Sequence, residues 1–212
     1  MHFVEQRAMR RFCVWRGIDR PRRGRARLPG TVLSLAFLIL ATIGGPRRVC
    51  AQSRAEEYQI KAAFLFHFAQ FVEWPEGAFQ EADSPLVYCT VGEDPFQGAL
   101  EASFKGKMIG SHSLQVKHLK EAGAAQGCHV AFLGKAAGRH IQDELASLRG
   151  NPVLTVGETE QFVNDSGMIG FSLEENKIRF DINLEAAERA KLKISARLLA
   201  LARTVIGGPK RN

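Results

Sequence analysis

The sequence predicts an α/β fold: a single-domain sandwich with a mixed, partly parallel sheet that is flanked by helices and ends in a β-hairpin plus helices. Short runs rich in β-forming residues, several closed by glycine, alternate with helical patterns of apolar residues. Residues 168–173 and 177–182 flank a polar turn, which is a hairpin pattern and makes the sheet mixed. Residues 52–206 contain no internal repeat and no long linker, so we expect one domain.

The individual elements follow from periodicity and from helix start and stop signals. A buried helix is predicted over residues 55–74, where large apolar residues recur at helical spacing until Pro75. Asn183 and Ser195 are predicted to cap the two last helices. The final helix is expected to end at a mobile tail, residues 207–212. Further strands are predicted over residues 86–91, 107–109, 113–119, 128–133 and 152–156, and further short helices over 94–104, 139–148, 159–163 and 184–189.

Residues 1–51 have the organisation of a secretory signal peptide. Arginines crowd the start of the chain, and an apolar run of 12 residues follows over 32–43. A helix of that length spans about 18 Å, short of the roughly 30 Å hydrocarbon core of a membrane. Small residues ahead of the junction predict cleavage after Ala51 and export of the mature chain. The alternative is a single membrane anchor, which the Arg47-Arg48 pair after the apolar run favours.

The positive charge of the chain belongs to this leader. The whole sequence has a formal charge of +7, but residues 1–51 hold 11 arginines and only two acidic residues. The remainder therefore carries a charge of about −2. A nucleic-acid-binding protein needs cations on its folded surface to displace counterions. The distribution argues against nucleic acid as a partner.

Cys89 and Cys128 are the two cysteines that remain if the leader is removed. Each lies in a segment predicted as a core strand, and export places the chain in an oxidising compartment. If the two strands are neighbours, the side chains can come within disulfide reach. The sequence favours an intramolecular disulfide, and the alternative is a pair of buried free thiols that only pack.

No strong catalytic, nucleotide-binding or metal-binding motif occurs in the sequence. His112 and His118 stand six residues apart on one predicted strand, so about 20 Å would separate them. They could not then share a metal ion. We expect a protein that is not an enzyme, with no catalytic residue, cofactor or metal site. An exported hydrolase is the alternative class.

Several segments, in this order, carry a resemblance to a known family. They are residues 57–75, 91–96, 128–133, 153–157, 167–171, 182–187 and 192–202. Each segment is weak by itself, but the ordered set is specific. Over about residues 55–206 the chain resembles the YfiR family of periplasmic regulatory proteins. The matching cysteine pair of that family fits a bond between Cys89 and Cys128.

The resemblance implies regulation without catalysis. The family's namesake represses an inner-membrane diguanylate cyclase by binding its periplasmic sensory region, and an outer-membrane lipoprotein sequesters the repressor. The partners implied here are therefore an inner-membrane signalling protein, with a diguanylate cyclase as the expected case, an outer-membrane lipoprotein and a second copy in a homodimer. Inhibition by contact requires a surface whose affinity differs between the partner's states. The alternative function is a periplasmic sensor module that binds a small molecule.

Phe71, Trp74 and Pro75 are the candidate partner-binding residues. They lie where the first apolar helix is expected to run into a loop, beside Phe79. Large apolar groups at the end of an element can anchor an interface, and tryptophan is enriched among binding hot spots. The alternative is that Trp74 closes the bottom of the core.

Overall fold

A mixed eight-stranded sheet with helices on both faces forms the fold, as the sequence predicts. It is seen in a computed structural model that describes residues 49–208. The predicted leader over residues 1–48 lies outside the described residues, as do residues 209–212 of the predicted tail. The first helix begins at Val49, ahead of the predicted cleavage point after Ala51.

The described helices are α1 (Val49–Gln70), α2 (Ala99–Phe104), α3 (Ile141–Ser147), α4 (Leu184–Arg189) and α5 (Ala196–Leu201). The described strands are β1 (Val72–Glu73), β2 (Leu86–Val91), β3 (Met108–Ile109), β4 (His112–Leu119), β5 (Val130–Leu133), β6 (Leu154–Gly157), β7 (Ile169–Glu174), β8 (Lys177–Asn183), β9 (Lys193–Ile194) and β10 (Thr204–Ile206). Single 3₁₀ turns cover Ala122–Ala124 and Lys135–Ala137.

The strand order of the sheet is β10-β8-β7-β6-β5-β2-β4-β3. The five central strands, β4, β2, β5, β6 and β7, are parallel to one another. Strands β7 and β8 form the predicted antiparallel hairpin, with Glu174 opposite Lys177. From β2 the chain crosses to β4 on one side, and it then returns to β5 on the other side. The direction of winding therefore reverses between β2 and β5.

Two hydrophobic cores lie on the two faces of the sheet. Side chains of a strand point alternately to opposite faces. In β2, accordingly, Leu86 and Tyr88 belong to the core under α1, whereas Val87 and Cys89 belong to the core under α3. All six residues of β2 are buried. Burial on both faces explains why the parallel strands appear in the sequence as continuous apolar runs.

Aromatic rings fix α1 to the sheet. The Phe68 ring meets those of Phe171 on β7 and Phe180 on β8, with ring centroids 5.5 and 5.0 Å apart. Phe64 lies one turn earlier and contacts the same two rings. Aromatic pairs at this spacing add stability beyond the area that they bury. The apolar stripe of α1 is thus the main contact of this helix with the β7–β8 hairpin.

The predicted end of the first helix at Trp74 is wrong. Helix α1 ends at Gln70, and Val72 pairs with Ile194 in the small antiparallel sheet of β1 and β9. The amide of Ser195 also donates to the carbonyl of Phe71. Backbone pairing with a segment about 120 residues away replaces the last helical turn, and such pairing leaves no trace in local apolar spacing.

Three other boundaries differ from the sequence prediction. The helix expected from residue 94 begins only at Ala99, because Gln97 and Gly98 adopt positive φ angles of 51° and 89°. Residues 159–163 form turns, not a helix. The final helix ends at Leu201, and the chain then adds β10 beside β8. Asn183 and Ser195 do cap α4 and α5, accepting hydrogen bonds from the third residue that follows.

Cys89 and Cys128 are joined in a disulfide, with Cα atoms 6.0 Å apart. Both residues are buried, in the core under α3. Cys89 lies in β2 as expected, whereas Cys128 lies two residues ahead of β5. The bond is possible because β2 and β5 are parallel neighbours. It ties together the two strands at which the winding of the sheet reverses.

Because Cys89 and Cys128 form a disulfide, we predict that denatured, non-reduced protein from the periplasm has no thiol that reacts with maleimide. The double variant Cys89→Ala/Cys128→Ala should lose about 3–4 kcal/mol of unfolding free energy, because the unfolded chain is no longer cross-linked. Mass-shift labelling and urea unfolding measure the two effects. Two labelled thiols in freshly exported protein would contradict the bond.

Phe162 is completely buried between two glycines. A Cβ atom built at Gly157, the last residue of β6, would overlap the Phe162 ring, and so would one built at Gly167. Glycine at these positions lets the ring lie directly against the backbone. The predicted helix over residues 159–163 is replaced by the turn that inserts this ring.

We predict that Gly157→Ala lowers the free energy of unfolding by about 1–3 kcal/mol or more, because the added methyl group overpacks the core. The midpoint of urea unfolding measures the change. Gly123→Ala is the matched control, since a Cβ at Gly123 meets nothing within 4 Å. Equal midpoints for the two variants would contradict the packing argument.

Candidate functional site

A crevice opens where β2 and β5 end side by side. In sheets of this kind, ligands bind outside the carboxyl ends of the strands, at the point where the winding reverses. A cavity of about 840 Å³ occupies this position. Its residues come from the loop after β2, the turn after β5 and the first turns of α1. They include Tyr58, Glu93, Asp94, Phe96, Lys135 and Glu158.

A buried ion pair lies beside the crevice: Glu158 lines the crevice, and Lys61 lines the adjoining cavity next to β7 and β8. Lys61 and Glu158 are 3% and 7% exposed, and the Nζ atom of Lys61 donates to the Glu158 carboxylate. The same ammonium group contacts Glu57, one turn earlier on α1. The Tyr58 hydroxyl donates to Glu158 Oε1 at 2.9 Å, and the backbone N–H of Lys135 donates to the same oxygen at 3.1 Å. Glu158 therefore joins α1, β6 and the turn after β5.

Burial and the neighbouring carboxylate keep the Tyr58 phenol protonated. Burial raises the pKa of Tyr58 far above its ordinary value of 10, and the negative charge of Glu158 raises it further. The phenol consequently keeps its proton and acts as a donor to the carboxylate. Glu158 already accepts from three donors, which is how proteins hold a buried charge. The arrangement suits a rigid binding surface better than proton transfer.

The three candidate partner-binding residues lie together at the far end of α1. Phe71, Trp74 and Pro75 are each partly exposed, and Phe71 and Trp74 pack against the core under α1. The Trp74 ring meets the edges of Phe79 and His129, both at 6.2 Å between centroids. Its indole Nε1 is buried and has no hydrogen-bond partner among the described residues. Trp74 thus closes part of the core and also reaches the surface.

Phe79 lies between two histidine rings. Its ring stacks on His112 at 3.9 Å and on His129 at 4.2 Å, in both cases within 14° of parallel. His129 is buried, and its Nδ1 accepts from the Val87 N–H while its Nε2–H donates to the Ala78 carbonyl, both at 3.1 Å. Only a neutral imidazole can make both bonds. His129 therefore fastens the loop after β1 to the sheet.

Two features of the site follow from sequence reasoning, and one does not. The sequence predicts the cysteine pair and suggests the group around Trp74 as a contact surface. It does not predict the pairing of Lys61 with Glu158. A lysine within a wide apolar stripe is a signal of a buried partner, because such charges are rarely buried unpaired. Glu158 directly follows a buried parallel strand, where ligand-facing residues concentrate.

Within residues 49–208, no group of three or more His, Cys, Asp or Glu side chains is arranged to hold a metal ion. No helix in the same part of the chain combines the length and apolar character needed to cross a membrane.

The sequence profile of the YfiR/HmsC-like family matches residues 58–203, so the chain belongs to this family. Members of the family are periplasmic regulators of diguanylate cyclases. The family implies an interaction with a membrane signalling partner. The matched segment contains the disulfide, the Lys61–Glu158 pair and Trp74.

Among solved structures, the chain is similar to the crystal structure of a conserved domain protein from Vibrio cholerae O1 biovar eltor, with a TM-score of 0.48 and 11% sequence identity. The similarity covers 70% of this chain and 60% of that one.

We predict that the free energy of unfolding depends on pH through His129. Burial lowers its pKa below the ordinary 6.5, and the positive charges of His112 and Lys117 lower it further, whereas the hydrogen bond to Ala78 has the opposite effect. Below about pH 6.5, the His129 side chain binds a proton in the unfolded chain but resists protonation in the folded protein. Stability should therefore be complete above that pH and should fall as the pH decreases.

Urea unfolding at pH 7.5 and at pH 5.5 measures this loss. The variant His129→Gln should show a smaller difference between the two pH values, since it has no imidazole to protonate. His140→Gln is the control, because His140 is exposed. An unchanged pH dependence in His129→Gln would contradict the assignment.

Proposed function

We propose that this protein is a periplasmic regulator without enzymatic activity, which binds and inhibits the periplasmic sensory region of an inner-membrane diguanylate cyclase. Membership of the YfiR/HmsC-like family carries the proposal. The charged cluster beside the crevice supports the absence of enzymatic activity, because internal hydrogen bonds already saturate its buried groups, and such a regulator needs only a contact surface. A surface of this kind inhibits when it binds one conformation of its partner more tightly than another.

The proposal includes removal of residues 1–51 on export, residence in the periplasm and the single domain 52–206. Mass spectrometry of the periplasmic fraction should give the mass of a chain that starts at Gln52. A full-length chain in the membrane fraction would contradict the leader assignment. An outer-membrane lipoprotein that sequesters the regulator, and a homodimer, are further proposed partners. Cross-linking in the intact periplasm detects both.

The experiment that tests the function is deletion and complementation in the native cell. Deleting this gene should raise cyclic di-GMP, and wild-type protein restored to the periplasm should lower it again. A form without its leader, kept in the cytoplasm, is the control and should restore nothing. Unchanged cyclic di-GMP in the deletion strain would contradict inhibition of a cyclase.

The proposed contact surface is the group formed by Phe71, Trp74 and Pro75. We predict that Trp74→Ala weakens binding to the partner's periplasmic region at least about tenfold, as expected for a tryptophan hot spot. The same variant should raise cyclic di-GMP in the complemented strain. Because Trp74 also packs on Phe79, some loss of melting temperature will accompany the change.

Two further variants separate binding from folding. Trp74→Phe keeps most of the packing but removes the indole N–H, which has no partner within the described residues. It should stay folded and lose part of the repression, because a phenyl ring presents less apolar surface to the partner than an indole does. Leu173→Ala is the matched control, since Leu173 is 58% exposed and lies beside the first turns of α1, at the opposite end of this helix from Trp74. A Trp74→Ala protein that is folded and fully repressive would exclude this surface.

A periplasmic sensor module for a small molecule is the second candidate. The crevice at the carboxyl ends of β2 and β5 favours it, since a volume of about 840 Å³ lies within the usual range for small-ligand sites, roughly 300–1,000 Å³. Denaturing mass spectrometry of protein purified from the periplasm would reveal a co-purified small molecule. A ligand that changes the affinity for the cyclase would unite the two candidates.

A further inference from the structure

A second cavity lies toward the amino ends of β6 and β7, the opposite end of these strands from the crevice. Its volume is about 330 Å³. Its floor consists of buried apolar side chains from the end of α3, the start of β7 and α4. These are Leu145, Leu148, Met168, Ala186 and Ala190. Each of these side chains is 6% exposed or less, so the cavity has a preformed apolar wall.

The charge of this cavity is of one sign. Arg149 and Arg189 are the ionisable residues among its lining, and no carboxylate is present. The other four cavities described within residues 49–208 all contain at least one Asp or Glu. Arg149 has no ion pair or side-chain hydrogen bond within the described part of the chain. Arg189 has one long contact, 3.9 Å to Glu185, and both side chains are largely exposed.

Ser166 stands at the edge of the same cavity in a strained conformation. Its φ angle is 77°, which is uncommon for a residue other than glycine. Hydrogen bonds from the amides of Asp165 and Gly167 to the carbonyls of Gln161 and Phe162 hold the turn in place. Such strain persists where the surroundings enforce it and clusters at binding sites. The turn brings Ser166 to the cavity that Arg149 and Arg189 also line.

We propose that this cavity binds a small amphipathic carboxylate, a medium-chain alkyl carboxylate being the simplest case. The hydrocarbon body lies against the apolar floor, and the carboxylate lies at the mouth between Arg149 and Arg189. A guanidinium group presents a planar fork of donors that matches a carboxylate. The volume is at the lower end of the range for small-ligand sites, so the cavity has room for a single alkyl chain of medium length. This site is independent of the proposed cyclase surface.

Isothermal titration calorimetry on the purified protein tests the proposal with four probes at concentrations below micelle formation. Decanoate should bind. Decylamine has the same chain and the opposite charge, decanol has the chain without charge, and acetate has the charge without the chain. Each of these three should bind at least about tenfold more weakly than decanoate, because each lacks one of the two contributions.

Variants at the mouth assign the binding to this cavity. Arg149→Gln should weaken decanoate binding about tenfold, and Arg149→Gln/Arg189→Gln should weaken it further. Arg179→Gln is the matched control, because Arg179 is an exposed arginine of β8 outside this cavity. Melting temperatures of all variants should stay near that of the wild type, since these arginines are exposed.

Three results would overturn the proposal: no binding of decanoate, equal binding of decylamine, or equal decanoate affinity in the wild type and the double arginine variant. Sedimentation with phosphatidylglycerol vesicles distinguishes a free carboxylate from a lipid surface. Decanoate binding without vesicle binding supports the proposal as stated. Binding to vesicles that survives in the double variant, together with no decanoate binding, would replace this site by a membrane-surface interaction.

Discussion

A buried ion pair joins Lys61 of α1 to Glu158, which directly follows β6, in the interface between α1 and the sheet. Removing two such charges from water is costly, and their attraction compensates only when every remaining donor and acceptor is satisfied. Tyr58 and the Lys135 amide supply those additional hydrogen bonds. Breaking the pair would leave an isolated charge in an apolar interface. Together with the aromatic contacts of Phe64 and Phe68, this pair fixes the position of α1 on the sheet.

The two candidate binding regions both depend on where α1 lies. At its beginning, Tyr58 lines the crevice and Lys61 lines the adjoining cavity, and both side chains contact Glu158. At its end, the chain turns at Phe71 into β1, whose pairing with β9 holds Trp74 beside Phe79. A change in the position of α1 would therefore alter both regions together. That property suits a regulator, because coupling between sites requires an element that both of them touch.

The sequence predicted the parts of the fold that local pattern determines. Strands such as Leu86–Val91 are recognisable because burial on both faces demands continuous apolar residues. The caps at Asn183 and Ser195 act through hydrogen bonds three residues away, which local sequence also encodes. The short strands β1, β9 and β10 escaped prediction because they form only through pairing with distant segments. Their two or three residues carry no periodicity of their own.

In the candidate site, too, some contacts could be predicted from the sequence and others depend on residues far apart in the chain. Cys89 and Cys128 could be paired by elimination, since no other cysteine remains beyond the leader. The partnership of Lys61 with Glu158 could not, because it joins residues 97 positions apart and depends on the order of the strands. The insertion of Phe162 between Gly157 and Gly167 is of the same kind, since it requires two backbones to approach one ring. Non-local geometry decides these contacts.

A double-mutant cycle on the ion pair tests the central claim most directly. The variants are Lys61→Met, Glu158→Gln and the combination, and the free energy of unfolding in urea is measured for each. The account predicts that each single change costs about 3–5 kcal/mol, because it strands a buried charge or its donors. The combined change should cost less than the sum by more than about 1 kcal/mol. Additive effects within about 0.5 kcal/mol would contradict the claim that this pair holds α1 on the sheet.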